Sequence, residues 1–259
     1  MSGFGGGVPR NPLRLVFSST PWLATGYLLS YVVVGTALFV VAFSVLATTY
    51  ALSLLTFGIP LLAGAALVVR GCAEVERKRA ELFGDNVAAG YRTVEESGLF
   101  AQIKVRWTDP ATLRDCGYLV LMYVPLVLLD FVAALVWLSC LFGVTVPLWY
   151  WASPRTWHDG EFDHGIKLGY FPSGADAPQG IGIFIGDLPT ALLVAAAFAV
   201  LSLGAAYVVV FAARLHAGVT RSLLGPRIDP LERARRVLTE PGPLEPWPAP
   251  KSFSNEKGR

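Results

Sequence analysis

Charged residues are scarce in this sequence, and the scarcity is uneven. Asp, Glu, Lys and Arg make up 15% of the 259 residues, against about 25% in a soluble globular domain. None of them occurs between Arg14 and Arg70. A soluble core does not require an uncharged run of that length, whereas each membrane span needs roughly 20 apolar residues. The sequence therefore excludes an ordinary soluble domain and predicts an integral membrane protein.

Catalytic and metal-binding motifs are also missing. The sequence contains no G-x-S-x-G, no H-E-x-x-H and no Walker loop. Its three cysteines, Cys72, Cys116 and Cys140, do not have the spacing of a metal site, and none lies in the segment predicted below to be outside the cell, so we expect no disulfide. The formal net charge of +2 gives no reason to expect nucleic acid as a partner. We expect no enzyme activity, no metal and no cofactor.

Long apolar stretches predict four transmembrane helices. The first two lie at Leu23–Leu46 and Thr49–Val69, joined by a turn at residues 47–50, with a kink in the second at Pro60. The third stretch runs from Cys116 to Ala152, and the fourth from Leu188 to Ala213. At about 37 residues, the third stretch is longer than one span and short for two. We assign it one crossing, with residues 141–151 beyond the bilayer, at its interface or dipping back into it.

Basic residues predict the orientation. Segment 70–115 carries eight Lys or Arg, and the chain after the fourth stretch carries nine, whereas segment 153–187 has two against five acids. Positively charged segments stay in the cytoplasm. We therefore expect a multi-pass protein of the cell membrane with a cytoplasmic loop at 70–115, an extracellular loop at 153–187 and both termini in the cytoplasm.

The predicted fold class is all-α: a membrane bundle of four helices in two hairpins. Residues 1–21 would be a flexible cytoplasmic tail, 22–225 the transmembrane domain and 226–259 a Pro-rich cytoplasmic tail. Gly-Tyr-Leu opens both the first and the third stretch, and two arginines seven residues apart follow both the second and the fourth. These similarities have two interpretations, a parallel repeat or generic residues of span ends.

Several motifs in order resemble the "putative sensor" domain family of actinobacterial membrane proteins, which is often fused to histidine kinases. The similarity covers roughly residues 20–230 and departs from the family pattern at Leu113, where members usually have Trp. It rests on Phe57-Gly58-Ile59-Pro60-Leu61-Leu62, the basic segment Arg70 to Gly84, Asp109-Pro110-Ala111-Thr112-Leu113-Arg114-Asp115 before Gly117-Tyr118-Leu119, and Pro147-Leu148-Trp149-Tyr150-Trp151.

The resemblance implies a non-catalytic membrane module that receives a signal. We expect this one to stand alone without a kinase, since His216 is the only histidine after the fourth stretch and no phosphate-binding loop follows it. Its partners would be the lipid bilayer and either a separate histidine kinase or another membrane protein. The sequence does not decide whether the chain forms a homodimer. The alternatives are a transporter or permease subunit and an accessory subunit of a membrane complex.

Asp130 is the most informative single residue, because it lies inside an apolar stretch. Acids within a membrane span are costly and are often functional. Asp130 could respond to a proton or a cation, it could be solvated in a wet cleft, or it could join helices through a hydrogen bond. The hydroxyls of Tyr27, Ser30, Tyr31 and Thr36 are the partners that we consider for such a bond.

Five polar residues of the outer loop are weak candidates for metal binding or pH sensing. His158, Asp159, Glu161, Asp163 and His164 lie within seven residues, but they follow no ligand spacing. The surrounding Gly- and Pro-rich sequence predicts an irregular loop that an external ligand would contact. A solvated acidic loop is the simpler interpretation.

Basic residues after the second and fourth spans are candidates for a cytoplasmic relay or for contact with anionic lipid. Acids and bases alternate from Glu74 to Phe83, which predicts that the second helix continues into the cytoplasm as a solvated helix. The candidate residues are Arg70, Arg77, Lys78, Arg79, Arg214 and Arg221.

Overall fold

The computed structural model describes residues 12–53, 59–84, 87–91, 99–158, 161–170 and 181–226. Residues up to Gly225 form one compact unit, and residues 226–259, the predicted Pro-rich tail, form a second, of which only Pro226 is described. The helices are α1 (Pro12–Val16), α2 (Thr20–Ser53), α3 (Ile59–Leu82), α4 (Leu99–Thr108), α5 (Pro110–Cys116), α6 (Tyr123–Val144), α7 (Val146–Trp149) and α8 (Leu188–Leu224). A π-helical turn (Gly117–Leu121), a 3₁₀ turn (Tyr150–Ala152) and strands β1 (Arg155–His158), β2 (Glu161–His164), β3 (Ile166–Tyr170) and β4 (Ile181–Ile185) complete the fold.

Three of these helices are long and apolar enough to cross a bilayer. They are α2, α6 and α8, which contain 34, 22 and 37 residues. Large apolar side chains cover their outer faces, as expected where the surrounding solvent is hydrocarbon. Examples are Val33, Val40 and Phe43 of α2, Phe131 and Leu135 of α6, and Leu193, Val200 and Phe211 of α8. A membrane protein is thus confirmed, with three candidate spans among the described residues.

The second predicted span has the wrong boundaries. Residues 49–53 continue α2, whose 34 residues extend for about 51 Å without the expected turn at 47–50. Helix α3 begins only at Ile59 and becomes charged at Arg70. Its apolar part is therefore about 16 Å long, against a hydrocarbon thickness of about 30 Å. The structure does not confirm a fourth span.

Pro60 begins a helix and does not kink one. It is the second residue of α3, where a missing backbone N–H removes no intrahelical hydrogen bond.

Two segments predicted to be tail and loop contain helices. In the predicted N-terminal tail, α1 forms because Leu15 is fully buried in the core cluster that includes residues of α8. In predicted loop 70–115, α3 continues to Leu82, and α4 and α5 follow after a partly described connection. The indole of Trp107 in α4 donates to the carbonyl of Leu62 at 2.9 Å, which holds α4 against α3.

The third apolar stretch contains one candidate span, in agreement with its assignment to one crossing. The π-helical turn precedes α6, and the N–H of Met122 donates to the carbonyl of Gly117 at 3.0 Å, five residues back. Residues 146–152, after α6, form α7 and the 3₁₀ turn. Such π turns change the direction of side chains within a helix and often occur at functional sites.

The outer segment corrects the all-α prediction, because it contains two antiparallel β-hairpins where an irregular loop was expected. Strand β1 pairs with β2 and β3 with β4, with Arg155 opposite His164 and Ile166 opposite Ile185. Gly169 has a φ of +136°, and a Cβ there would lie 2.4 Å from the carbonyl oxygen of Ile181, so this position requires glycine. The alternative of a parallel repeat in the bundle stays a prediction.

Helices α6 and α8 form the main interface of the bundle, where small side chains permit close approach. Its core cluster contains Ala133 and Trp137 of α6 and, from α8, mostly alanines and valines between Ala205 and Ala217. Farther along, a Cβ on Gly143 would lie 2.3 Å from Cγ of Phe198. The close contact of α6 with Phe198 therefore depends on the absence of a side chain at residue 143.

We predict that Gly143→Ala destabilises the bundle by about 1–3 kcal/mol through overpacking. Gly204→Ala is the matched control, because a Cβ on Gly204 of α8 meets nothing within 4 Å. The control should be neutral, or more stable by up to about 1 kcal/mol through helix propensity. Thermal unfolding in detergent micelles measures both, and equal stability of the two variants would contradict the described packing.

Candidate functional site

Asp130 lies in α6 and is fully buried. Both of its carboxylate oxygens accept from Nδ1 of His216 in α8, at 2.8 and 3.0 Å. The hydrogen bond joins two helices, as one interpretation of the sequence proposed, but the partner is an imidazole and not one of the four hydroxyls considered. His216 was missed as a partner because it lies beyond the apolar run, whereas α8 continues past it to Leu224.

A second buried acid lies next to this pair. Glu76 of α3 is fully buried and receives two hydrogen bonds from Arg79, at 2.9 and 2.5 Å. The hydroxyl of Tyr118, in the π-helical turn, donates to Oε1 of Glu76 at 2.8 Å. The same hydroxyl lies 3.2 Å from Nε2 of His216, so the two acids belong to one network. We call Glu76, Arg79, Tyr118, Asp130 and His216 the buried ionic cluster.

Helix α2 completes the surroundings of the buried ionic cluster. Nη1 of Arg79 donates to the carbonyl of Tyr27 at 2.8 Å and to the hydroxyl of Ser30 at 2.9 Å. Its guanidinium also lies over the Tyr27 ring, 4.3 Å from the centroid, a favourable cation–π arrangement. The cluster therefore connects all four long helices: α2, α3, α6 and α8.

A second group of polar contacts lies at the end of α8 and includes one of the predicted relay residues, Arg77. Nη2 of Arg77 donates to Asp115 at 2.9 Å, and Nε of Arg77 donates to the carbonyl of Leu224 at 3.1 Å. Arg114 donates to the carbonyl of Gly225 at 3.2 Å. The last carbonyls of a helix have no partner within the helix, and here arginines of α3 and α5 bind them. We call Arg77, Arg114 and Asp115 the exit contacts.

Burial raises the pKa of two groups near Arg77, Asp115 and Tyr91. Burial raises the pKa of Asp115, while the hydrogen bond from Tyr91 and the charge of Arg77 oppose that rise. Burial and the neighbouring Asp115 also raise the pKa of the Tyr91 hydroxyl. Tyr91 therefore stays protonated and donates to Asp115, at 2.6 Å.

The predicted relay residues divide into buried and exposed groups. Arg70 donates to Asp109 at 2.9 Å and to Thr112, which ties α3 to the start of α5. Arg77 and Arg79 are buried, whereas Lys78 between them is exposed and pairs with Glu81 at 3.1 Å. Arg214 and Arg221 lie within α8, where Arg221 donates to the carbonyl of Ala217. Of the run Arg77-Lys78-Arg79, only Lys78 is placed to face solvent or lipid.

The five polar residues of the outer loop lie on or beside the first hairpin. His158 is opposite Glu161, and Asp163 is opposite Thr156, in the register of β1 and β2. Asp159 and the side chains of His158, Glu161 and Asp163 lie outside the described part of the structure. Nδ1 of His164 lies 2.8 Å from the carbonyl oxygen of Ser153. Among the side chains that are described, no group of three or more His, Cys, Asp or Glu could hold a metal ion.

Apolar outer faces, three candidate spans and a buried network of charges define a helical membrane protein. The chain belongs to the family described as "Putative sensor", whose model matches residues 27–224. The match begins at Tyr27, whose carbonyl accepts from Arg79, and ends at Leu224, the last residue of α8. It thus includes the whole buried ionic cluster and confirms the resemblance found in the sequence. Neither a curated protein nor a solved structure matches the chain.

We predict that Arg79→Met destabilises the protein by about 3–5 kcal/mol, because it leaves Glu76 buried without its counter-charge. Adding Glu76→Gln to this variant should restore much of the loss, since the unpaired charge is then gone. Lys78→Met is the matched control and should change stability little, because Lys78 and Glu81 are both exposed. Unfolding in detergent by urea measures all three, and equal losses for Arg79→Met and Lys78→Met would contradict the buried pairing.

Proposed function

We propose that this chain is a non-catalytic signal-input module of the cell membrane. It relays an extracellular or membrane stimulus to a separate cytoplasmic or membrane partner, such as a histidine kinase. Membership of a sensor family and the three apolar helices support this proposal. The distribution of basic residues supports the orientation, with both termini in the cytoplasm and the β-hairpins outside. This orientation requires an even number of crossings, so the proposal includes a return of the chain through the bilayer between α2 and α6, which α3 would complete.

The hydrogen bonds that Arg77 makes at the end of α8 are the observation that supports a relay of the signal through this helix. Arg77 belongs to α3 and contacts both Asp115, at the end of α5, and the carbonyl of Leu224. A change in how α3 packs would therefore move the end of α8. Helices packed by discrete contacts shift between discrete arrangements, so the exit contacts would pass such a shift to the residues that follow Gly225.

A transporter subunit is the second candidate, favoured by an ionisable pair inside the bundle. Asp130 and His216 could pass protons or ions across the bilayer. Both side chains are fully buried, whereas an aqueous pathway requires contact with water. We therefore prefer the sensor. Flux of protons and monovalent ions into proteoliposomes distinguishes the two, because a sensor should show none, and neither should its Asp130→Asn variant.

We predict that a strain without this chain changes a limited set of transcripts, and that the wild-type chain restores them. Arg77→Gln should fail to restore them because it removes the ion pair to Asp115. A chain without residues 155–180 should fail as well, because it lacks most of the two hairpins. Lys78→Gln is the matched control for Arg77→Gln and should restore the transcripts.

Membrane abundance of each variant is measured beside the transcripts, so that failed insertion is not mistaken for failed signalling. If the shortened chain is inserted normally and the transcripts are restored in full, the outer segment receives no signal. If inserted Arg77→Gln restores them as well as Lys78→Gln does, the relay through the end of α8 is wrong.

A further inference from the structure

The charges of the buried ionic cluster do not balance. Glu76 and Asp130 contribute two carboxylates, whereas Arg79 is the one permanently positive group. All three are buried, and so is His216. An excess charge in an apolar interior is strongly unfavourable, and the usual remedy is uptake of a proton. We propose that the buried ionic cluster is a proton-binding site in which His216, held by Asp130, takes up the balancing proton.

The geometry around Nε2 of His216 suits both protonation states of the ring. Nδ1 donates to Asp130 in either state. In the neutral ring, Nε2 accepts from Nη2 of Arg79, 3.4 Å away. In the charged ring, Nε2 donates to the hydroxyl oxygen of Tyr118, 3.2 Å away, while that hydroxyl donates its own proton to Glu76. Each state therefore offers a hydrogen-bond partner to both ring nitrogens.

The other groups that face His216 carry no charge at neutral pH. The rings of Tyr27 and Tyr31, from α2, meet the imidazole edge-on with centroids 5.1 and 4.4 Å away. Thr220, one turn along α8, has its hydroxyl 3.1 Å from that of Tyr118. Tyrosine hydroxyls ionise near pH 10 in water. With Glu76 and Arg79 from α3, Tyr118 from the π-helical turn and Asp130 from α6, these are the polar groups that contact the ring in the described structure.

An open groove reaches one member of the buried ionic cluster, Arg79. It has a volume of about 540 Å³ and lies between α2 and α3, with Arg79 in its wall and apolar sides formed by Val34, Val75 and Leu82. The exposed pair of Lys78 and Glu81 also lines the groove. Arg79, whose guanidinium binds Glu76, is the member of the buried ionic cluster that lines the groove.

Proton binding would control the packing of the bundle. With the proton bound, the four charges of the cluster sum to zero, and α3, α6 and α8 are held together. Loss of the proton leaves an excess negative charge where these helices meet, and the repulsion between Glu76 and Asp130 favours their separation. A proton as the stimulus rests on the function proposed above, whereas the proton-binding site does not.

The test follows the imidazoles of the full-length protein in lipid nanodiscs. The chain has three histidines, so ¹⁵N-histidine labelling gives three sets of ring signals. The variants His158→Gln and His164→Gln, both in the first hairpin, identify two sets, and the third belongs to His216. We expect the His216 signals to report uptake of one proton when the pH is lowered.

Asp130→Asn is the decisive variant, because it removes one negative charge while keeping an oxygen that accepts from Nδ1. Its cluster is balanced without an added proton, so we expect the His216 signals of this variant to stay unchanged over the pH range in which those of the wild type change. The proposal is overturned if the wild-type His216 signals do not change with pH. It is overturned equally if Asp130→Asn titrates like the wild type.

The two proposals fail separately. If His216 does not titrate but the wild-type chain restores the transcripts, the proton site is wrong and the sensor stands. If His216 titrates as expected but the loss of the chain changes no transcript, the proton site stands and the sensor proposal is wrong.

Discussion

The structure depends on one constraint: charges enclosed in an apolar bundle must bind each other. Glu76, Asp130, Arg79 and His216 come from three helices, and each is buried only because the others satisfy its charge and hydrogen bonds. The carbonyl of Tyr27 accepts a hydrogen bond from Arg79, so α2 is the fourth helix that the cluster joins. Apolar packing alone would let helices in lipid slide past one another, because the lipid tails are as apolar as the side chains. The buried ionic cluster fixes their register.

Helix α3 joins this cluster to the exit contacts. Successive residues of a helix point about 100° apart, because a turn contains 3.6 residues. Arg77, Lys78 and Arg79 therefore face three environments: the end of α8, the exterior and the centre of the bundle. A run that resembles a single basic patch in the sequence has three separate roles. Because Arg77 and Arg79 lie on one helix, a change at the cluster would reach the end of α8 through α3.

The sequence was sufficient for the properties that depend on composition. The uncharged run between Arg14 and Arg70 predicted a membrane protein, and the order of short motifs predicted the family. Local order was harder to predict. The turn at residues 47–50 was wrong because these residues are apolar or weakly polar and do not end a helix. The two hairpins were missed because glycines lie within and beside their strands and weaken the strand pattern of the sequence.

The site could be predicted only in part, for a physical reason. An acid in an apolar stretch is conspicuous, so Asp130 was found. Its partner is 86 residues away along the chain, and nothing local to either residue indicates the pairing. Glu76 and Arg79 have the spacing of an ordinary solvated pair on a helix surface, and only tertiary packing makes them core residues. The π-helical turn that positions Tyr118 has no distinct sequence signal.

Hydrogen exchange of the full-length chain in lipid nanodiscs tests most directly whether the buried ionic cluster holds the bundle together. The comparison is between the wild type and Tyr118→Phe, which removes only the hydroxyl that joins Glu76 to His216. If the account is correct, amide protection falls together in the segments around Glu76, Asp130 and His216. Loss of protection confined to the π-helical turn, with α3, α6 and α8 unchanged, would contradict it.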